Sequence, residues 1–363
     1  MRPEYSTSYA FRLTGLLLLF IGVVIGAHLI VETWNWTVRL SLIGVWDEWE
    51  VTQTYLMMRY CILTNLALTT IGLLFLSVPS YSDELTKKHW SSLNFKKVLA
   101  TMVLTGGTVY ANPDSNKYCV RYYGKSTVLH QIICALARRI YNVQTEPARW
   151  ITRNSYVTQI YRKGIVEDLL ALSPTYNTRN RSHNNEENAF PTAAFLLDAP
   201  LDVVREAVRV GASANGGVRY TIEPLPRSDG RYHIRPQFTF GHLSPKPLLD
   251  DYRAVLERVG IHTTPVMDGR FGKGFLRSRS WDTCAAFKWI GGFIDNVKVH
   301  RGRYSRLDRN DVLQRALTFY RSEGNSFATK ERALETVDEY LLGLGAFIEK
   351  PIDNSLEIST RTH

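Results

Sequence analysis

Cysteine is scarce in this 363-residue chain and poorly spaced for chemistry: Cys61, Cys119, Cys134 and Cys284 form no Cys-x-x-Cys pair. That excludes a zinc ribbon or a disulfide framework and fits reduced thiols in a cytoplasmic domain. A phosphate loop is missing too, since Phe271-Gly272-Lys273-Gly274 has neither the spacing nor a following helix. The histidines are dispersed, and His242, His262 and His300 read as ordinary surface or turn residues. Acids are outnumbered, 34 against 44 Lys and Arg, for a formal charge of +10. The first 83 residues hold no lysine, four arginines and six acids, so the basic excess belongs to the remainder. Such an excess suits a polyanionic partner, either nucleic acid or the anionic face of a membrane.

Charge is also absent from two long stretches. Leu13 to Val31 is uncharged and mostly apolar, and a second uncharged run reaches from Tyr60 to Ser82. Each has about the ~20 residues a helix needs to cross the hydrocarbon core. Residues 1–83 are therefore expected to form a membrane hairpin with spans at about 13–31 and 60–82. Four of the eight tryptophans, Trp34, Trp36, Trp46 and Trp49, lie between them, where aromatic rings sit at lipid headgroups. Arg2 and Arg12 precede the first span and Lys87, Lys88, Lys96 and Lys97 follow the second, so both termini are expected to face the cytoplasm. A cleaved signal peptide, or two buried helices of a soluble domain, are the rival readings of these runs.

Beyond the hairpin one block echoes another about a hundred residues on. Leu99-Ala100-Thr101-Met102-Val103-Leu104-Thr105-Gly106-Gly107 ends an apolar helix, and so does Val208-Arg209-Val210-Gly211-Ala212-Ser213-Ala214-Asn215-Gly216-Gly217. After each, the hydrophobic periods predict strand, strand, helix, strand, strand and helix. The first block covers 92–172. A polar, asparagine-rich linker is expected over 173–192, the second block over 193–300, and helices with a tail over 301–363. In the second block the last helix is expected over 282–294.

These helix-ending motifs, each followed by that element order, resemble the LAGLIDADG homing endonuclease family in its single-chain, two-repeat form. Leu99, Ala100 and Gly107 match the motif in the first copy. Val208, Ala212, Ala214 and Gly216 are identical or conservative in the second. The resemblance implies an α+β fold in which two αββαββα repeats form a pseudo-two-fold saddle, a monomer with internal pseudo-symmetry, and double-stranded DNA as the partner. It also implies carboxylates before each final glycine, holding Mg²⁺ at the scissile phosphates. Here those positions are Gly106 and Asn215, and the earlier acids are replaced by Leu104 and Ser213. Substitutes from Asp114 or Glu223 would have to reach back along the chain. Metal-dependent cleavage is therefore expected to be impaired or lost, with Mg²⁺ relevant only to residual activity.

Binding does not need those acids. Alternation along strands places Arg235, Gln237 and Thr239 on one face, Lys273, Arg277 and Arg279 on another, and pairs Arg149 with Arg153 and Arg121 with Tyr123. Tyr161 and Lys163 extend the pattern. These residues are the expected DNA contacts. Two other readings remain open at this point: a maturase-like splicing helper that binds structured RNA, and a membrane protein whose basic domain binds anionic lipid or a protein.

Overall fold

The computed structural model describes residues 16–18, 20–22, 24–26, 28, 31–32, 59–60, 62–71, 81–177, 189–225, 230–268, 272–300, 304–320 and 325–343. The chain divides into two units, Met1–Ser80 and Tyr81–His363.

In the first unit the described residues within 16–32 and 59–71 are helical. Polar groups face inward between the two stretches. The Asn65 side-chain amide donates to the Gly22 carbonyl at 2.7 Å, and the Thr69 hydroxyl donates to Asn65 Oδ1 at 3.2 Å. A Cβ at Gly26 would lie 2.6 Å from Asn65 Nδ2, so this glycine admits the amide. Leu16, Leu17, Phe20, Val24, Ile62, Leu63 and Leu66 are exposed. Among the described residues no helix is long and apolar enough to cross a membrane, so neither expected span is seen whole. Parts of both, including 29–30 and 72–80, lie outside the described residues, as does the tryptophan-bearing loop.

The second unit is α+β. A short helix α1 (Tyr81–Lys87) leads into α2 (Ser92–Gly106), whose N-terminus is capped by the Ser91 hydroxyl accepting from the Asn94 N–H. Then follow β1 (Gly107–Asn112), β2 (Lys117–Gly124), α3 (Thr127–Tyr141), β3 (Ala148–Trp150), β4 (Ser155–Ile160) and α4 (Lys163–Leu172). The second repeat runs α5 (Leu201–Asn215), β5 (Gly216–Pro224), β6 (Tyr232–Pro245), α6 (Lys246–Glu257), β7 (Thr264–Asp268), β8 (Lys273–Ser278) and α7 (Trp281–Trp289). Two further helices, α8 (Arg309–Tyr320) and α9 (Lys330–Leu342), complete the described chain.

Each repeat builds one four-stranded antiparallel sheet with the same topology, β1-β2-β4-β3 and β5-β6-β8-β7. One face of each sheet is apolar and packs on helices: Val120, Tyr122 and Ile160 in the first, Val218, Ile234, Phe238, Phe240 and Leu276 in the second. The helices α2 and α5 pack against each other and join the two repeats. Small side chains make this close approach feasible. At Gly211 a Cβ would stand 3.5 Å from Thr101 Cγ2 on α2 and 2.8 Å from the Phe240 ring.

Three details depart from the periodicity. The linker ends are packed rather than free: Ser173 and Tyr176 are buried, Tyr176 donates to the Leu169 carbonyl at 2.9 Å, and the Thr192 N–H donates to Ser173 Oγ at 3.0 Å. Its middle, 178–188, lies outside the described residues. The helix expected over 282–294 stops at Trp289, because Gly291 and Gly292 adopt φ of 108° and 64° and turn the chain. The strand expected to carry both Arg149 and Arg153 is only Ala148–Trp150, followed by a 3-10 turn over Ile151–Arg153.

Candidate nucleic-acid interface

The glycine that follows each motif helix, Gly107 in the first repeat and Gly216 in the second, is fixed by the strand that crosses behind it. A Cβ at Gly107 would lie 2.5 Å from the Arg121 carbonyl oxygen, and one at Gly216 would lie 2.7 Å from that of Thr239. Both residues have extended backbone, so the demand is for space rather than for a left-handed φ. The corresponding contacts on β2 and β6 reproduce one another across the two repeats, so the helix ends are built alike.

What stands at those ends is not a metal site. A Cβ at Gly106 would lie 2.7 Å from Cε2 of Tyr122, whose ring is buried, so a carboxylate there would require the ring to move. Asn215 donates from Nδ2 to the His242 carbonyl at 2.9 Å, a bond an aspartate could not make. Arg309 carries no signal in the sequence, because it lies more than ninety residues away. From the start of α8 it reaches back, and its Nη1 donates to the Ala212 carbonyl at 3.1 Å and to the Gly216 carbonyl at 3.0 Å. The guanidinium packs over the Phe293 ring with its carbon 5.5 Å from the centroid. Burial lowers its pKa to about 10, against the pull of Tyr122 and Asp308, so it remains protonated at neutral pH. It thus satisfies the Ala212 carbonyl in the last turn of α5 and the Gly216 carbonyl just beyond it, and sets a fixed positive charge at the negative end of the helix dipole.

Asp114 and Glu223 do not fill the gap. Asp114 lies in the turn beyond Asn112, and Glu223 is seven residues down β5 from Gly216, roughly 23 Å at the usual strand rise. Among the described residues no three His, Cys, Asp or Glu side chains converge to hold a metal. A neutral amide, a glycine and a guanidinium do not fit Mg²⁺, which takes carboxylate oxygens.

The faces of the sheets turned away from the helices carry the polar side chains. Directly paired residues share a face, so Arg121 lies with Thr108 and Gln159, and Tyr123 with Val157. Lys117 and Cys119 complete that row of β2. Trp150, not singled out in the sequence, packs on Tyr123 with centroids 5.6 Å apart, and the Arg153 guanidinium stacks on Trp150 at 4.3 Å. Two of the residues expected as contacts do not share this face. Arg149 pairs with Tyr156, whose ring faces His130 of α3, so Arg149 points to the helix side. Lys163 opens α4, lies over the Tyr118 ring at 5.5 Å and pairs with Glu167 at 3.6 Å, again behind the sheet. Tyr161 is exposed and donates to Gln159.

On the second sheet Arg235, Gln237 and Thr239 share the open face with Arg219, Thr221, Glu223 and Arg277, as the register requires. Gln237 is only 1% exposed and Thr239 5%, so neither side chain is presented to solvent. Gln237 instead orients Arg219, accepting from its Nε and Nη2 at 3.2 and 2.9 Å when the amide oxygen faces it. Thr239 donates to the Gly217 carbonyl at 3.2 Å. Arg279 pairs with Glu223 at 2.6 Å and Arg235 with the same carboxylate at 3.9 Å. Arg277 opposes Thr239 and Thr264, and Lys273 opposes Asp268. His242 stacks on Phe275 at 4.8 Å, and its pKa is lowered by burial and by the charges of Arg219 and Arg309. Arg219 is legible in the alternation Arg219, Thr221, Glu223; His242 is not, because a bulge between Phe240 and Ser244 resets the register.

No family model matches the chain, and no curated protein is similar to it. Solved structures with a similar course of chain include the LAGLIDADG homing endonuclease I-LtrWI bound to target DNA, at 8% identity over 69% of this chain and 97% of that one, with a TM-score of 0.43. I-SmaMI, a LAGLIDADG homing endonuclease bound to cleaved DNA, matches at 8% identity over 68% and 95%, with a TM-score of 0.41. I-DmoI in complex with DNA and Mn matches at 14% identity over 55% and 97%, with a TM-score of 0.37.

Proposed function

We propose that this chain is a LAGLIDADG-type protein that binds double-stranded DNA on the open faces of its two sheets and has lost metal-dependent cleavage. The observation that carries this reading is the matched pair of repeats. In each, a motif helix ends on a glycine pressed against a strand carbonyl, and the sheet beyond it presents arginine on the face its helices leave open. Sheets of this kind place side chains in register with successive groups of a duplex groove, while their flanking cations hold phosphates. The loss of cleavage rests on Gly106, Asn215 and the Arg309 guanidinium at the helix ends, which supply no ligand for the metal.

The test is a binding and nicking assay with purified full-length protein. Supercoiled DNA is expected to be retained equally in Mg²⁺ and in chelator and to stay intact in both. Nicking that needs Mg²⁺ and disappears in Asn215→Ala would overturn the second half of the reading.

The same chain is held to a membrane, in this reading, by residues 13–31 and 60–82, with the DNA-binding unit in the cytoplasm. Support comes from the pattern inside the first unit: polar groups and glycines meet between the helical stretches while leucines and Phe20 stay exposed. That is the reverse of a water-soluble hairpin and suits helices whose solvent is lipid. After washing membranes with alkaline carbonate, the protein is expected in the pellet. Release into the supernatant would remove the anchor from the reading and leave the DNA-binding half untouched.

A further inference from the structure

Beside the open face of the second sheet, where β8 ends at Ser278 and the chain turns into α7, lies a cleft of about 760 Å³. Three arginines line it, Arg235, Arg277 and Arg279, together with Thr263, Thr264 and the first residues of α7. Ser280 caps that helix, its Oγ accepting from the Asp282 N–H at 3.1 Å, so the positive end of the helix dipole opens into the cleft. Two acids oppose this charge: Asp282 in the first turn, and Glu223, which holds Arg279 and lies near Arg235. The arginines still exceed them.

Two polar atoms at the cleft have no partner. Thr263 is 7% exposed and its Oγ1 makes no hydrogen bond, and the Nε of Arg235 is buried without an acceptor. A buried hydroxyl and a buried guanidinium N–H are each costly to leave unpaired, and one oxyanion with several acceptor oxygens satisfies both. Neighbouring groups are otherwise committed. Ser278 Oγ donates to Thr283 Oγ1 at 3.0 Å, Thr283 Oγ1 donates to the His262 carbonyl at 3.0 Å, and Trp281 Nε1 donates to the Leu317 carbonyl at 3.1 Å, which fixes its ring as a wall.

We propose that this cleft is a phosphate-binding site, in which Arg235, Arg277, Thr263 and the N-terminus of α7 surround one phosphate group. The phosphate is supplied by the backbone of a nucleic acid lying on the sheet or by a free phosphate ion. Only the first source rests on the DNA-binding reading.

The experiment uses full-length protein, with Thr263→Val and Arg277→Ala beside the parent. Thermal unfolding is measured with and without inorganic phosphate, and affinity for a 20-base-pair duplex at one fixed salt concentration. Thr263→Val keeps the volume and removes only the hydroxyl, so the variant is expected to fold. If free phosphate is the source, saturating phosphate raises the parent Tm by roughly 2–8 °C and the variants by less than half as much. The difference between proteins removes the general salting-out, stabilising action of phosphate. If backbone phosphate is the source, phosphate alone shifts all three proteins equally, while both variants bind the duplex severalfold more weakly. Variants that match the parent with both probes overturn the site. A parent that binds phosphate through these residues but no duplex keeps the site and overturns the DNA-binding reading.

Discussion

Duplex DNA affinity of the full-length chain is expected to fall about 10³-fold between 50 and 200 mM salt, the loss that follows from neutralising about six phosphates. The cations that face outward from the open sheets are Lys117, Arg121 and Arg153 on the first, and Arg219, Arg235, Lys273, Arg277 and Arg279 on the second. Arg235 and Arg279 share Glu223, which lowers their effective contribution. Single substitutions then sort by face. Arg277→Ala and Arg121→Ala should each reduce the log-log salt slope by about one unit. Arg149→Ala and Lys163→Ala should leave it unchanged, because both side chains lie on the helix side of the first sheet. An Arg149→Ala slope reduced as far as that of Arg277→Ala would contradict the open face as the binding surface. A flat salt response in the parent protein would dismiss the nucleic-acid partner altogether.

Glu206→Ala is expected to lower stability by about 3–5 kcal/mol, the usual result of stranding a buried partner of opposite charge. Glu206 lies on motif helix α5 and is 7% exposed. It accepts from Lys88 Nζ at 2.9 Å, from Arg209 Nη1 at 3.3 and 3.2 Å, and from the Tyr81 hydroxyl. Arg209 in turn stacks over the Tyr81 ring at 5.2 Å and donates to the Gly292 and Phe293 carbonyls at 3.4 and 3.5 Å. One carboxylate therefore ties the entry helix α1 to the helix that joins the repeats. Burial alone would raise the Glu206 pKa, but Arg209, Lys88 and the Tyr81 hydrogen bond outweigh it and hold the group below the ordinary range. A depressed folded-state value means the contribution is complete above the unfolded value of about 4.3 and disappears as pH falls through the folded one. The stability gap between the parent and Glu206→Gln should accordingly narrow below about pH 4. Chemical denaturation across pH, with the slope of the transition unchanged, measures it. A gap under 1 kcal/mol at pH 7 between the parent and Glu206→Ala would show that the cluster does not hold this helix.

The element order of both repeats is legible in the amino-acid sequence because it depends on local periods. Alternation marks β2 and β6, three-to-four spacing marks α3 and α5, and glycine pairs mark the helix ends. The common face of Arg235, Gln237 and Thr239 follows from the same rule. Its meaning does not. Whether a side chain on the open face is free depends on what the neighbouring strand puts over it, and Arg219 covers Gln237. Arg149 fails for a related reason, since a three-residue strand followed by a 3-10 turn leaves no alternation from which to read a face.

The doubled order of helices and strands, the basic balance of the second unit and the lack of carboxylates at Gly106 and Asn215 can be read from the residues alone, since all of these are local or compositional. What replaces the carboxylates and which cations face outward depend on packing. Arg309 reaches the Ala212 and Gly216 carbonyls at the end of α5 from the start of α8, Glu206 gathers Tyr81, Lys88 and Arg209, and the cleft draws Thr263 and three arginines from separate elements. Contacts between residues far apart in sequence carry no periodic signal, and they form only once packed helices and strand register bring the side chains within a few ångströms of one another.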